Sequence, residues 1–248
     1  MPLLGTERGA EEVGLGAGGD RTVVLDRVAE AVVLDGLAAL AARGERFSVL
    51  SEEVGWVDHG APQPLVLVDP VDGSLNAKQG VPAAAVMLSL LRGPRLGDAT
   101  AAQVLNLATG ESWQVRRGGG LTHDGRPVRP LPAGPGGIEL LGLESTPQSV
   151  LSVEPLLRSC AKIRLLGTMA ISLAHTASGG LSVFCSPIQA RAFDMSAGVL
   201  MLAEVGGVTT DLEGRPTAEL VADLGVRSTL LASAHPGLHR LALDLLQS

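Results

Sequence analysis

The sequence predicts a mixed α/β (α+β) protein in which helices are layered on sheets. Short apolar runs rich in β-branched residues recur in the first half, as in buried strands. In the second half, strand-like runs alternate with segments of helical periodicity, which is typical of layered sheets and helices. The chain has 248 residues, of which 46% are hydrophobic, so it can bury a substantial core.

The elements of the first half follow from periodicity and from Gly and Pro positions. Residues 1–19 are rich in Gly and Glu and are expected to be a flexible lead. Apolar residues then recur near helical spacing over 21–42, which predicts an amphipathic helix that Gly44 ends. Apolar runs predict strands at 47–50, 65–68, 84–91, 101–107 and 112–116.

The second half begins after a segment rich in Gly and Pro, residues 118–137. We expect this segment to join two halves of a single domain that spans residues 1–248. Beyond it, the pattern predicts strands at 138–143, 163–166 and 181–185, and helices at 150–161, 169–177 and 195–205.

Composition excludes several classes of function. A formal net charge of −7 without a Lys/Arg cluster argues against binding nucleic acid through its phosphates. Aromatic residues make up 2% of the chain and Tyr is absent, so platforms for base stacking cannot be built. The apolar runs are about half the roughly 20 residues that cross a membrane, and no secretory signal is evident. A cytoplasmic protein with a small-molecule ligand is expected.

Two features resemble functional motifs but are interpreted as structural. Gly14, Gly16 and Gly19 spell G-x-G-x-x-G, but acidic residues stand where a dinucleotide-binding fold needs a hydrophobic strand. Cys160 follows a helical segment and Cys185 ends an apolar run, so both are interpreted as buried thiols.

The acidic residues are the most informative. The predicted strand 65–68 leads directly into Asp69 and Asp72, and two like charges at a buried strand end are unfavourable unless something neutralises them. Asp-Pro and Asp-Gly are also common turn dipeptides, so an ordinary turn stays an alternative at this point.

Further carboxylates come from other segments. Glu52 follows the predicted strand 47–50, and Asp194 stands at the start of an apolar helix, where it could alternatively be an N-cap. Carboxylates from separate segments, without a His or Cys cluster, are the ligands expected for hard ions such as Mg²⁺. The scattered histidines disfavour zinc.

Together these motifs resemble the inositol monophosphatase superfamily in order and spacing, from about residue 18 to the C-terminus. Within the superfamily, this chain looks closest to the archaeal-type branch with both inositol monophosphatase and fructose-1,6-bisphosphatase activity. Residues 75–77 and 138–145 carry that similarity. The segments that carry the resemblance are Ser51–Glu53, Asp69–Ser74, Phe193–Gly198 and Glu204–Asp211.

The resemblance implies a layered αβαβα sugar-phosphatase fold, a homodimer, and a phosphomonoesterase that hydrolyses a small sugar or cyclitol phosphate with metal-activated water. Inositol 1-phosphate and fructose 1,6-bisphosphate are the implied substrates, and two or three Mg²⁺ ions the implied cofactors. The implied metal ligands are Glu52, Asp69, Asp72, Asp194 and the backbone carbonyl of Val71.

Other site residues are also implied by the matching motifs. Glu52, Ser74 and Asp26 take catalytic roles, Ser74 orienting the attacking water and Asp26 supporting the Ser74 hydroxyl. The backbone amides of Gly73 and Ser74 suit a phosphate oxygen. The expected substrate-binding residues are Asp72, Thr168, Met169 and Arg191; for Arg191, a contact to a distant phosphate and a surface ion pair are both open.

The chain departs from the family in three ways. The long N-terminal helix of the family is largely missing from this sequence, and the usual Thr-Lys segment before Asp26 is absent. Ser186 stands about where animal inositol monophosphatases have a substrate-binding glutamate. Two alternatives remain: a 3'-phosphonucleotide phosphatase, which the scarcity of aromatic residues disfavours, and a regulatory member whose function is protein binding.

Overall fold

The computed structural model describes residues 3–134 and 136–248. The first two strands of the described residues form a hairpin. Strands β1 (Glu12–Leu15) and β2 (Arg21–Val23) pair antiparallel and lead into helix α1 (Val24–Ala42). The expectation of a flexible lead is therefore wrong for the hairpin, and the helix begins three residues later than predicted because β2 takes residues 21–23. The first two residues of that lead lie outside the described residues.

The first sheet has seven strands in the order β3-β4-β5-β6-β7-β8-β9. Strand β4 is far longer than the predicted 65–68. It includes a largely exposed arm, residues 55–60, which lacks the apolar run of a buried strand. This arm pairs antiparallel with β3, whereas residues 65–68 pair parallel with it. The elements are β3 (Phe47–Ser51), β4 (Gly55–Asp72), α2 (Ser74–Gln79), β5 (Ala85–Leu91), β6 (Ala99–Asn106), β7 (Ser112–Arg116), β8 (Gly120–His123) and β9 (Arg126–Pro127).

The second sheet has five strands in the order β11-β10-β12-β14-β13, with β10 parallel to both of its neighbours. The elements are β10 (Ile138–Leu143), α3 (Glu154–Ser159), β11 (Cys160–Arg164), α4 (Met169–Ala177), β12 (Val183–Arg191), α5 (Ala192–Glu204), β13 (Val208–Thr210), β14 (Arg227–Ser233) and α6 (Pro236–Gln247).

Three element boundaries in this half differ from prediction. The predicted helix 150–161 is a 3₁₀ turn over 150–153 followed by the short helix α3. The strand predicted at 163–166 is shifted to 160–164, where a largely exposed edge strand lacks a buried apolar run. The strand predicted at 181–185 continues to residue 191, past an irregularity in its pairing with β14 at Pro187, so α5 begins at residue 192.

Helices α4 and α5 lie between the two sheets. Their buried side chains, such as Leu173 and Phe193, share one core with Met87 of the first sheet and Leu230 of the second. Helices apolar on all sides are stable only when buried in this way. Helix α1 packs on the outer face of the first sheet, and α3 and α6 pack on the second. The predicted αβαβα layering is confirmed.

None of the helices in residues 3–134 and 136–248 is both long enough and apolar enough to cross a membrane.

Candidate active site

Three carboxylates meet where the sheets approach each other. Glu52 directly follows β3, Asp69 lies near the end of the neighbouring parallel segment of β4, and Asp194 lies in the first turn of α5. One oxygen from each lies within 4.8 Å of the other two. We call these three residues the acidic cluster. Asp194 is the third residue of its helix, so the alternative that it is an N-cap is wrong; Arg191 holds that position.

Burial and mutual repulsion make the charged forms of this cluster unfavourable. Burial raises the pKa of Glu52 to about 7 and that of Asp194 to about 6, and a nearby carboxylate adds to each effect. Asp69 is 2% exposed, and burial followed by repulsion from Glu52 raises its pKa well above the ordinary range. Asp194 Oδ1 is buried without a hydrogen-bond partner among the described residues. An oxygen-only donor set with surplus negative charge fits a hard divalent cation.

The Arg191 side chain lies against the acidic cluster. Its Nη2 is 2.5 Å from Glu52 Oε1, its Nε is 3.3 Å from Asp194 Oδ2, and its Nη1 is 2.9 Å from Asp20 Oδ2. These pairs partly offset the surplus charge. The ion pair of the alternative interpretation is therefore present, but the side chain is only 14% exposed, so Arg191 is an inner residue of the site and not a surface arginine. Its contact to a distant phosphate stays a prediction.

Asp72 is held by the N-terminus of α4. Its Oδ2 accepts hydrogen bonds from the Thr168 hydroxyl and from the Ala170 amide, the latter at 2.6 Å. Burial raises the pKa of Asp72, while these hydrogen bonds lower it. Thr168 also caps α4, and Met169 is 5% exposed. The predicted substrate residues Thr168 and Met169 therefore lie beside Asp72, and the Thr168 hydroxyl fixes the direction of that carboxylate.

The predicted water-orienting pair is assembled between α1 and α2. The Ser74 hydroxyl lies 2.8 Å from the Val71 carbonyl oxygen and 3.2 Å from Asp26 Oδ1, either of which can accept its proton. Asp26 Oδ2 accepts the backbone amide of Val23 at 3.0 Å, and burial raises the pKa of Asp26. Gly73 has φ of 88°, and a Cβ there would lie 3.0 Å from two carbonyl oxygens, so only glycine suits this turn.

The predicted residues line two adjoining cavities, which share Asp20, Asp72 and Arg191. The first, which we call the acidic cavity, has a volume of about 190 Å³ and contains Asp26, Glu52, Asp69, Val71, Gly73 and Ser74. The second, which we call the outer cavity, has a volume of about 360 Å³ and contains Glu144, Thr168, Met169, Gln189, Asp194 and Arg227.

The turn between β1 and β2 forms one edge of the acidic cavity. The backbone amides of Ala17 and Gly18 donate to the carbonyls of Glu53 and Glu52 at 2.8 and 2.7 Å. A Cβ on Gly18 would lie 2.6 Å from Arg191 Nη1, so the turn approaches the site closely. The glycine pattern thus belongs to a hairpin turn, in agreement with the rejection of the dinucleotide motif.

Sequence reasoning missed Asp20, Glu144 and Arg227. Glu144 directly follows β10, and its place at the end of a predicted strand was the available signal. Asp20 and Arg227 stand in no recognisable motif. Ser186, expected near the substrate, is fully buried in β12 and does not line either cavity.

The two cysteines are free thiols, as expected. Cys185 is buried, and burial raises the pKa of its thiol to about 12. Cys160 is only partly buried, because it begins the exposed edge strand β11.

The layered fold and the buried carboxylates of the acidic cluster are the arrangement expected of a metal-dependent hydrolase. The profile of the inositol monophosphatase family matches residues 5–247. The chain therefore belongs to the inositol monophosphatase family.

Individual relatives agree with this assignment. A fructose-1,6-bisphosphatase/inositol-1-monophosphatase of Thermococcus kodakarensis is 34% identical over 216 residues, which cover 87% of this chain and 79% of that protein. The protein with the same description from Archaeoglobus fulgidus is 31% identical and covers 100% of this chain and 91% of the relative.

Solved structures share the fold. An inositol monophosphatase-fructose 1,6 bisphosphatase superposes with a TM-score of 0.84 at 22% identity, covering 98% of this chain and 92% of that one. A Pyrococcus horikoshii protein described as similar to inositol-1 monophosphatase gives a TM-score of 0.82 at 24% identity, covering 98% and 90%.

Proposed function

We propose that this chain is a Mg²⁺-dependent phosphomonoesterase for small sugar or cyclitol phosphates, with inositol 1-phosphate and fructose 1,6-bisphosphate as substrates. The observation that carries the proposal is the acidic cluster of Glu52, Asp69 and Asp194, whose oxygens converge within 4.8 Å. The two relatives described above, which are named for both activities, support the choice of substrates.

The proposed metal ligands are the three residues of the cluster, Asp72 and the Val71 carbonyl. All five offer oxygen, which suits Mg²⁺ better than zinc or copper. Two or three bound Mg²⁺ ions would supply an activated water and neutralise charge on the phosphoryl oxygens. Because the surplus charge of the cluster is only partly offset by Arg191, binding of such ions would also relieve repulsion within the protein.

The chain's own groups then orient the reaction. The Ser74 hydroxyl positions the attacking water, takes up one proton from it and donates its own proton to Asp26, whose second oxygen is fixed by the Val23 amide. The amides of Gly73 and Ser74 bind a phosphate oxygen, and Glu52 acts as a ligand that would hold a metal ion beside the water. In the outer cavity, Asp72, Thr168, Met169 and Arg191 contact the substrate.

Both halves of the chain contribute to this site, which supports a single functional domain over 1–248. Glu52, Asp69 and Ser74 come from the first half, while Thr168, Arg191 and Asp194 come from the second. We also propose a cytoplasmic homodimer, on the resemblance to the family and the expectation from sequence.

The alternative functions gain no support from the cavities. Neither cavity is lined by an aromatic ring among the described residues, so a nucleotide base would lack a stacking partner. All proposed ligands are present, which argues against a purely regulatory protein.

The decisive experiment measures phosphate release from inositol 1-phosphate, fructose 1,6-bisphosphate and a 3'-phosphonucleotide, each with Mg²⁺ and with a chelator. We expect Mg²⁺-dependent turnover of the first two and little of the third. Absence of turnover on every sugar or cyclitol phosphate would overturn the proposal.

A further inference from the structure

Glu144 brings a carboxyl group into the outer cavity from the second sheet. It directly follows β10, and its backbone amide donates to the Cys185 carbonyl of the parallel neighbour β12 at 3.0 Å. The cavity is also lined by Asp72, and the charge on Asp72 contributes to the raised pKa of Glu144. Glu144 is thus placed beside the expected substrate and outside the acidic cluster.

The Glu144 carboxyl group has no hydrogen-bond partner among the described residues. Its Oε2 is shielded from solvent and unpaired, while Oε1 retains some exposure in a side chain that lines the cavity. Leaving a shielded carboxyl oxygen unpaired is unfavourable, so such a group is expected to find a donor when the site is filled. Phosphate oxygens cannot donate when fully ionised, whereas hydroxyl groups can.

The neighbouring strand explains why this role falls to Glu144. Ser186 of β12 is fully buried and contributes nothing to the cavity wall. Strands β10 and β12 are parallel, with Leu143 paired to Cys185, so their carboxyl ends open on the same side of the sheet. Ser186 on β12 therefore offers no carboxyl group to the outer cavity, whereas Glu144 at the end of β10 does.

The residues that line the outer cavity carry both signs of charge. Asp20, Asp72, Glu144 and Asp194 are acidic, whereas Arg191 and Arg227 are basic, and Arg191 is already paired with Asp20 and Asp194. A phosphate group is repelled by the unpaired Glu144 carboxyl group and attracted to an arginine, while a ring hydroxyl can bind to either. The ring hydroxyls of a substrate therefore fit best against Glu144.

We propose that Glu144 is a specificity-determining residue that accepts hydrogen bonds from the hydroxyl groups of the sugar or cyclitol ring. This assignment rests on the proposed function. It predicts a preference for polyhydroxylated substrates over phosphomonoesters without hydroxyl groups on the leaving group.

The test compares inositol 1-phosphate with phenyl phosphate in wild-type enzyme, Glu144→Ala and Glu144→Gln at saturating Mg²⁺. We expect Glu144→Ala to lower kcat/KM for inositol 1-phosphate by about 10- to 100-fold, the loss typical of a hydrogen bond to a charged group. Phenyl phosphate should lose less than about threefold, because it has no hydroxyl to bind. Glu144→Gln should retain part of the selectivity, since its amide oxygen still accepts a hydrogen bond.

Glu139→Ala is the matched control, because Glu139 lies on β10, the strand that Glu144 follows, but is exposed and outside both cavities. Its two kcat/KM values should match those of the wild type. Equal losses of kcat/KM on both substrates for Glu144→Ala, or no loss on either, would overturn the assignment of Glu144. Turnover by the wild-type enzyme would still leave the proposed function intact. A wild-type enzyme that hydrolyses neither substrate would overturn both. An unchanged thermal midpoint of Glu144→Ala would separate lost recognition from lost folding.

Discussion

The acidic cavity and the outer cavity adjoin each other but are built on different physical terms. Glu52 and Asp69 line the acidic cavity, and Asp194 lies close to both from the wall of the outer cavity. Burial raises the pKa of all three carboxyl groups, and repulsion from nearby carboxylates adds to it. The outer cavity is larger and sets acidic Glu144 against basic Arg227. The first arrangement demands a compensating cation, whereas the second sorts substrate groups by charge and hydrogen bonding. Substitutions in the two cavities should therefore have different signatures.

The largest effect is expected for Asp69→Asn. This substitution keeps the shape of the side chain but removes a charge on which the cation depends, so activity should fall by at least ~10³-fold. Because Asp69 is buried beside other carboxylates, the same change should raise the thermal midpoint in metal-free buffer. Initial rates at saturating Mg²⁺ and a thermal melt with chelator measure both effects.

Asp194→Asn should behave similarly, since Asp194 Oδ1 is an unpaired oxygen of the same cluster. Asp35→Asn is the control, because Asp35 is exposed on α1. Near-normal turnover of either cluster variant would remove the metal-site assignment.

Ser74→Ala should have the next largest effect. The Ser74 hydroxyl lies between Val71 and Asp26, and orienting the attacking water matters mainly in the transition state. We expect kcat to fall by roughly 10²-fold with a smaller change in KM. Ser74→Thr keeps the hydroxyl and is the matched control. A Ser74→Ala enzyme with wild-type kcat would show that the hydroxyl only stabilises the turn before α2.

The comparison of the cavities also explains what sequence could predict. Glu52, Asp69 and Asp72 of the acidic cavity lie in short motifs at the ends of apolar runs, as at 65–72, so local patterns place Asp69 and Asp72 together. Burial of charge at a strand end supplies the chemical meaning without knowledge of the remaining fold. The layered fold was predictable for the same reason, because its buried strands and helices have clear periodicity.

The outer cavity was less predictable because remote segments build it. Arg227 begins β14 and lies beside Arg191 only through the antiparallel register of β12 and β14. Glu144 depends on the parallel pairing of β10 with β12. No local pattern encodes such registers. The exposed strand β11 was predicted with shifted bounds and the exposed arm of β4 was missed, because both lack a buried apolar run.

Arg191 lies at the junction of the two cavities and should affect both. Arg191→Ala should lower kcat/KM for fructose 1,6-bisphosphate by about tenfold to a hundredfold, and less for inositol 1-phosphate, through loss of a charged contact to the second phosphate. Arg191 also competes with cations for Glu52 and Asp194, so the Mg²⁺ concentration for half-maximal activity should fall.

Steady-state kinetics over a matrix of Mg²⁺ and substrate concentrations separates these two effects. Arg191→Lys, which keeps the charge without the forked geometry, should recover part of the bisphosphate selectivity. Small and equal losses on both substrates would exclude the contact to the second phosphate, and an unchanged Mg²⁺ requirement would exclude the competition.

The smallest effect concerns the stability of the metal-free protein against pH. Burial raises the pKa of Glu52 from 4.5 to about 7 and that of Asp194 from 3.8 to about 6. For each residue, the native state therefore binds more protons than the unfolded state at pH values between the unfolded pKa and the folded pKa. The resulting stability is fully present below the unfolded pKa values and is lost as pH rises through the folded ones.

The thermal midpoint in chelator should consequently fall as pH rises from about 4 to about 8, by roughly 10 °C for the contribution of Glu52. Glu52→Gln should flatten this dependence, because glutamine does not ionise. The difference between the two proteins isolates Glu52 from every other titrating group. Saturating Mg²⁺ should flatten the wild-type curve as well, since a bound cation stabilises the ionised carboxylates. Parallel curves for wild type and Glu52→Gln would show that Glu52 ionises as readily in the folded chain as in the unfolded one, and the electrostatic account of the acidic cavity would then fail.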